Sequence, residues 1–257
     1  MFRHYPWRKM KNSILKIKCI SCEALARPVY YYSAITPHQV DLEIQRIGLH
    51  DRPTSLREQL QQQINETPSN TYDAIVLVYG LCGRAIDGLT SLDTQLVVPR
   101  AHDCITLLLG SREAYQQQQN EYPGTYWYSQ DYLERSGRYG ESMALGSGMP
   151  GDLQTVYQEY IDKYGLENAD YLMQTMGSWQ AHYTRAVLVE NDLGVKQNIA
   201  EQAHIEAEKR GWKLEKLEGN LSIVKKLLFA EWDQDFLIVP PKASIHMTVD
   251  EEIITAK

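Results

Sequence analysis

Tyr72-Asp73-Ala74-Ile75-Val76-Leu77-Val78-Tyr79 is an almost unbroken apolar run rich in Val and Ile, and it leads directly into Gly80-Leu81-Cys82-Gly83. Such a run predicts a central strand covered on both faces, as in a parallel sheet flanked by helices. Upstream, Ile14 to Ile20 alternates apolar and basic residues and reads as a strand, with a helix over Glu23 to Tyr31. Val40 to Leu49 alternates again. A helix follows, with Thr54 or Ser55 as its N-cap and Leu56, Leu60 and Ile64 on one face. Downstream, Leu96 to Pro99 reads as a shorter strand and Cys104 to Gln118 as a helix. Strand, helix, strand in this order predicts a parallel sheet with right-handed crossovers.

The second half repeats the pattern. Arg185 to Val189, Trp212 to Leu217 and Phe236 to Val239 read as strands, with helices over Val195 to Lys209 and Leu221 to Ala230. Between the two arrays lies a stretch dense in Tyr and Gly, with helix candidates at Leu153 to Tyr164 and Ala169 to Met176. The expected fold class is therefore α/β, mostly parallel sheets flanked by helices, Rossmann-like, with two lobes around a cleft. The expected division is a basic, disordered extension over 1–12, a βα lobe over 13–121, an aromatic-rich connector over 122–183 and a second βα lobe over 184–257. Met10, just before the first strand pattern, offers an alternative start.

The 257 residues carry 26 basic and 33 acidic side chains, a net charge of −7. Without a clustered basic stripe, this balance argues against a nucleic-acid binder. No apolar run reaches the length of a membrane span, and no signal-peptide pattern follows the N-terminal extension. Four cysteines are too few to staple a chain of this length, so reduced thiols in the cytoplasm are expected.

Open parallel sheets bind ligands beyond the carboxyl ends of their strands. Cys22 follows the first strand, Cys82 lies three residues past the central one, and His102 and Cys104 follow the strand ending at Pro99. These four side chains are expected on one sheet edge. Thiolates and imidazole suit zinc, iron or an iron–sulfur cluster. His102-x-Cys104 with a distant cysteine matches the ligand spacing of some zinc methyltransferases, although Cys82 precedes the pair here. Cys22, Cys82 and Cys104 could equally hold a four-iron cluster with one open iron. The competing reading is that each is an ordinary buried cysteine. Cys19-x-x-Cys22 has a redox-motif spacing, but Cys19 falls inside the strand pattern and reads as core. Asp103 is a candidate partner orienting the His102 ring.

Arg84, Arg100 and Arg112 flank these segments and could bind an anionic substrate or form ordinary salt bridges. Tyr126 and Trp127, with Tyr128 and Tyr132, could line a ligand cage or pack the connector onto the sheet. Gly146-Ser147-Gly148-Met149-Pro150-Gly151 matches G-x-G-x-x-G literally but follows no strand pattern, so it reads as a loop.

Ile20-Ser21-Cys22-Glu23, Tyr79-Gly80-Leu81-Cys82, Pro99-Arg100-Ala101-His102-Asp103-Cys104-Ile105 and Leu109-Gly110-Ser111-Arg112 together resemble a family catalogued as domain of unknown function sixteen thirty-eight. Gly124-Thr125-Tyr126-Trp127-Tyr128, Gly211-Trp212, Gly219-Asn220-Leu221 and Phe236-Leu237-Ile238-Val239-Pro240-Pro241 extend the resemblance along the chain. The resemblance implies a setting in anaerobes, often beside corrinoid-dependent methyltransferase systems. It brings no catalytic assignment.

The expectation from these residues is a metal-binding enzyme using Cys82, His102 and Cys104, with Cys22 as a further ligand. Its metal would be zinc for preference or an iron–sulfur cluster, and its chemistry methyl transfer linked to a corrinoid. The alternative is a non-catalytic protein that holds a corrinoid, a metal or a methyltransferase partner. A small-molecule substrate or a corrinoid protein is the expected partner.

Overall fold

The computed structural model describes residues 13–47, 53–136, 183–193 and 198–257, together with Gln158, Ile161, Gly165 and Leu166. The N-terminal extension, the Gly146 to Gly151 match and, those four positions apart, the two connector helix candidates lie outside the described residues.

The strands are β1 (Lys16–Cys22), β2 (Gln39–Gln45), β3 (Ala74–Val78), β4 (Leu96–Pro99), β5 (Thr125–Ser129), β6 (Arg185–Glu190), β7 (Lys213–Glu218), β8 (Phe236–Val239), β9 (Ile245–Met247) and β10 (Ile254–Ala256). The helices are α1 (Ala26–Ile35), α2 (Pro53–Asn65), α3 (Cys104–Leu109), α4 (Arg112–Glu121), α5 (Gln130–Ser136), α6 (Ile199–Lys209) and α7 (Ser222–Leu228). A five-stranded sheet has the order β2-β1-β3-β4-β8, parallel except for β8, and a second, fully parallel sheet has the order β5-β6-β7. The fold is α/β with mostly parallel sheets flanked by helices.

β3 is buried along its whole length, as its sequence predicts. On one face α2 presses Leu56, Leu60 and Ile64 against Ile20, Ile75 and Leu77. Each such side chain contributes about 1.5–3 kcal/mol of burial. On the other face Val29 of α1, Leu107 of α3 and Leu227 of α7 cover Ile17, Val76 and Val97. That cluster also takes in Trp127, Tyr132, Val187 and Val189, so the apolar core runs without a break from the first sheet into the second.

From β1 the chain passes through α1 to β2 on one side, then returns through α2 to β3 on the other side of β1. Consecutive connections thus leave β1 and β3 in opposite directions and cover opposite faces, which makes the carboxyl ends of these two strands the switch point at which open α/β sheets bind ligands.

Among the differences from the sequence expectation, three change how the elements connect. The helix read over Cys104 to Gln118 is two helices: Gly110 ends α3 in the left-handed conformation (φ 77°) and the Ser111 hydroxyl caps α4 by accepting from the Ala114 N–H. A Cβ on Gly110 would stand 2.5 Å from both the Asn220 side chain and its carbonyl oxygen, so glycine is required by backbone conformation and by space. Thr125–Ser129, read as connector, is the buried strand β5. Phe236–Val239, read with the second array, returns to the first sheet antiparallel to β4. Two family-resemblance motifs meet at Gly110: the Asn220 N–H donates to Leu108 O (2.8 Å) and the Ser222 hydroxyl to Gly110 O (3.1 Å).

Candidate functional site

The thiols of Cys22, Cys82 and Cys104 lie at the carboxyl ends of β1, β3 and β4. Ser21 pairs with Val78, so the next residues, Cys22 and Tyr79, stand side by side at the carboxyl edge. Val76 pairs with Val97, which brings the end of β4 level with them. The loops beyond β3 and β4 are then tied together: the Leu81 N–H donates to Ala101 O (2.8 Å) and the Cys82 N–H to His102 O (2.9 Å). Gly80 makes this possible, because a Cβ there would lie 2.5–2.8 Å from the Asp103 backbone. Cys82, Gly83 and Arg84 follow with φ of 45°, 64° and 72°. Two of these are not glycine, a conformation held only where the surroundings enforce it.

Cys22 caps the short 3-10 turn Glu23–Leu25, its Sγ accepting from the Ala24 N–H at 3.5 Å. Burial pushes its thiol up to about 11, with the Ala24 bond pulling partly back. Cys82 is buried, and burial, followed by the charges of Asp103 and Cys22, raises its thiol well above the ordinary range. The N–H groups of Gly80 and Cys104 oppose that rise. Both thiols are therefore protonated at neutral pH. Cys104 opens α3 and packs partly buried against the face opposite Cys82. Cys19 is fully buried within β1 and its thiol is raised by burial, the core residue its position in the strand implies.

His102 is exposed and its ring stacks on Tyr115 (5.7 Å between centroids, 28° between planes). Asp103, expected to orient that ring, instead caps α3: Oδ1 accepts from the N–H groups of Ile105 (3.0 Å) and Thr106 (3.3 Å), and Oδ2 from the Tyr115 hydroxyl (3.1 Å). Among the described residues no three His, Cys, Asp or Glu side chains are grouped so that they could hold a metal ion. The structure thus brings three thiols to one edge and leaves the imidazole outside them.

The three arginines make salt bridges and hydrogen bonds within the protein. Arg84 pairs with Asp87 (2.7 Å). Arg100 donates to the carbonyls of Glu252 and Ile254 and pairs with the Glu252 carboxylate (2.9 Å), and Arg112 donates to Glu251 O (2.7 Å). The latter two hold the C-terminal turn against the sheet edge. Tyr126 and Trp127 are buried in β5, Tyr126 packed on Trp212 (4.7 Å) and Trp127 within the core shared by the sheets. They pack the strand and do not line a cage.

Two features of this edge escape the sequence reading. The first is Tyr79, 3% exposed, whose hydroxyl has no partner among the described residues. The second is an ion network that joins the Glu23–Leu25 turn and α1 to α5. Glu23 accepts from Arg135 (2.9 Å) and from the Ile47 N–H (3.3 Å), Asp131 pairs with Arg27 (3.3 Å) and Arg135 (3.6 Å), and Arg27 reaches Glu134 (2.6 Å). Burial pushes the Asp131 carboxyl up to about 6 against the pull of Arg27 and Arg135. Glu23 and Arg135 are far apart in sequence, so no local pattern announces the pair. An open pocket of about 340 Å³ lies elsewhere, at the ends of β6 and β7. It is lined by Glu190, Asp192, Lys216 and Glu218 among others, and contains none of the thiols.

No curated protein and no solved structure matches the chain. No helix among the described residues is long and apolar enough to cross a membrane. The family described as Protein of unknown function (DUF1638) matches residues 44–228, which include Cys82, His102 and Cys104 and exclude Cys22. The match covers well over half of the 257 residues, and the chain belongs to that family.

Proposed function

We propose that the protein binds a soft metal through Cys22, Cys82 and Cys104, zinc for preference and an iron–sulfur cluster as the other form, and works as an enzyme of one-carbon or corrinoid-linked methyl metabolism. The observation that carries the site is the arrival of three thiols at the carboxyl ends of three adjacent parallel strands, with the β3 and β4 loops hydrogen-bonded to each other. The donor types suit such a metal, since thiolates favour zinc and iron–sulfur clusters, and the three side chains would have to draw together to hold it, because among the described residues they are not grouped as a metal site. Three protein ligands also leave one position of a tetrahedral ion for another molecule. When bound, the metal would supply Lewis acidity and hold a thiolate or substrate atom. The chain's own part is positioning. Asp103 fixes the start of α3 and with it Cys104, while Gly80 lets the Cys82 loop close on its neighbour. His102 would join the set only by leaving Tyr115. The corrinoid context, and a cytoplasmic setting that keeps the thiols reduced, rest on the family resemblance and composition.

A second reading is a non-catalytic protein that holds a metal, a corrinoid or a methyltransferase partner. It is favoured by the state of the carboxylates at this edge: Glu23, Asp103 and Asp131 all accept hydrogen bonds from groups of the fold, which leaves them poorly placed for acid–base work.

Elemental analysis and a visible spectrum of anaerobically purified protein test the site. Bound metal in a colourless protein is expected for zinc, and broad brown absorption for iron–sulfur. Protein that emerges metal-free and takes up neither zinc nor iron would remove the metal reading.

A further inference from the structure

We infer that Arg100 and Arg112 form a binding site for a phosphoryl dianion, closed in the resting fold by the acidic loop between β9 and β10, whose Glu251 and Glu252 stand in for the ligand. The inference goes beyond the metal reading and uses none of the thiols.

The first sheet and α4 place the pair. Arg100 follows β4 at its carboxyl end, and Arg112 opens α4. Arg112 donates to Glu251 O (2.7 Å), and Arg100 donates to Glu252 O (2.9 Å) and to Ile254 O. Donation to the carbonyls of two consecutive residues sets the guanidiniums side by side over one loop. Burial lowers Arg100 from its ordinary value; Glu252 opposes that shift and the neighbouring Arg112 adds to it.

The loop answers these two charges incompletely. Its carbonyls offer dipoles, and the one carboxylate in contact with Arg100, that of Glu252 (2.9 Å), is 60% exposed, where an ion pair is weak. Arg112 has Asp235 at 4.0 Å, beyond hydrogen-bond reach, and Lys226 already holds that carboxylate at 3.1 Å. The Arg112 Nε is buried and has no partner among the described residues, a state that native folds rarely leave unexplained. Guanidinium forks bind phosphoryl oxygens through paired N–H groups, and two of them match the two charges of the dianion.

The loop is also weakly held. Val249, Asp250, Glu251 and Glu252 are all exposed, so no buried side chain fixes its tip. Ile253, which anchors its base, has φ of 65°, a conformation that a β-branched residue adopts only under constraint. Segments with few buried contacts open at low cost. A phosphoryl group would take the N–H groups now given to Glu251 and Glu252 and repel their carboxylates. Arg100 would keep Ile254 in β10, so the β9–β10 pairing stays in place. Asp250, the remaining charge of the loop, is bound to the Thr248 hydroxyl (2.6 Å) and the Glu252 N–H (3.0 Å) and moves with it.

The test is calorimetric titration of the full chain with inorganic phosphate at pH 8 and low ionic strength, where the anion is a dianion, followed by amide hydrogen exchange of residues 248–254. The wild type is expected to bind phosphate and to exchange those amides faster when saturated. Glu252→Gln removes the competing carboxylate and is expected to bind about threefold more tightly, the worth of one exposed ion pair. Arg112→Gln is expected to bind at least about tenfold more weakly, as for a lost hydrogen bond to a charged group. A wild type that binds no phosphate would overturn the site. Equal affinity in R112Q would do the same, and binding that leaves loop exchange unchanged would place the anion elsewhere and overturn the closure. E252Q affinity equal to or below wild type would overturn the competition, and this variant, altered at an exposed side chain, decides the matter with the exchange data if R112Q does not fold.

Discussion

The backbone N–H of Cys82 donates to the carbonyl oxygen of His102 at 2.9 Å, joining the loop beyond β3 to the loop beyond β4. Two residues before Cys82, Gly80 lies so close to Asp103 that a Cβ would come within 2.5 Å of its backbone nitrogen. Gly80→Ala must therefore push the loops apart. A loss of about 1–3 kcal/mol in urea unfolding is expected from such overpacking, together with faster alkylation of Cys82 as its loop opens.

In the intact metal-free protein the thiols should react slowly. Burial raises Cys22 to about 11 and Cys82 further, so little thiolate is present near neutral pH. Iodoacetamide at pH 7.5 is expected to label Cys22 and Cys82 much more slowly than a free thiol and Cys19 not at all, as read by mass spectrometry of peptides. Rapid labelling of Cys82 at that pH would mean that its loop is open.

Asp103 accepts from two α3 N–H groups and from Tyr115. Asp103→Ala is expected to cost about 2 kcal/mol, the upper end for a lost N-cap. Asp103→Asn keeps a capping oxygen and should cost distinctly less. Thermal melts of the two variants make the comparison.

Gly110 ends α3 where the chain passes close to Asn220. Ala at this position meets both a left-handed backbone (φ 77°) and the Asn220 side chain and carbonyl at 2.5 Å. Gly110→Ala is expected to lose at least about 2 kcal/mol. A melt within a degree of wild type would show that the turn can rearrange.

The strands at the site were largely legible, because burial on both faces leaves a continuous apolar run. β3 falls inside the run that announces it, and β4 and β8 have the predicted bounds. The three strand-end thiols follow from that placement, as does the assignment of Cys19 to the core. Less legible was everything that depends on distant partners. The break at Gly110 answers to Asn220, the return of β8 to β4, and the charge of Glu23 to Arg135. β5 escaped notice because Thr-Tyr-Trp-Tyr-Ser carries aromatics on both faces, where an alternating strand would show one apolar face. The position of the His102 ring was not legible from its spacing either: two residues from Cys104, it stacks on Tyr115.

Asp131 gives the fold a pH signature. Its carboxyl is raised from 3.8 to about 6, chiefly by burial. Between those values the folded chain holds a proton that the unfolded chain releases, so this group's contribution to stability grows as pH falls through the window and is smallest above it. Asp131→Asn removes that contribution. In urea unfolding at pH 7 and pH 5, the wild type is expected to gain stability at the lower pH relative to D131N; a constant difference between the proteins would show that Asp131 does not titrate there.

The central claim is that thiols from neighbouring strand ends share one metal. Metal content per chain, measured on anaerobically purified wild type beside Cys22→Ser, Cys82→Ser and Cys104→Ser, tests it most directly. The expected result is about one zinc ion or one iron–sulfur cluster in the wild type, lost from each variant while cooperative melting persists. A metal-free wild type, or C82S and C104S variants that retain the full metal content, would contradict the account.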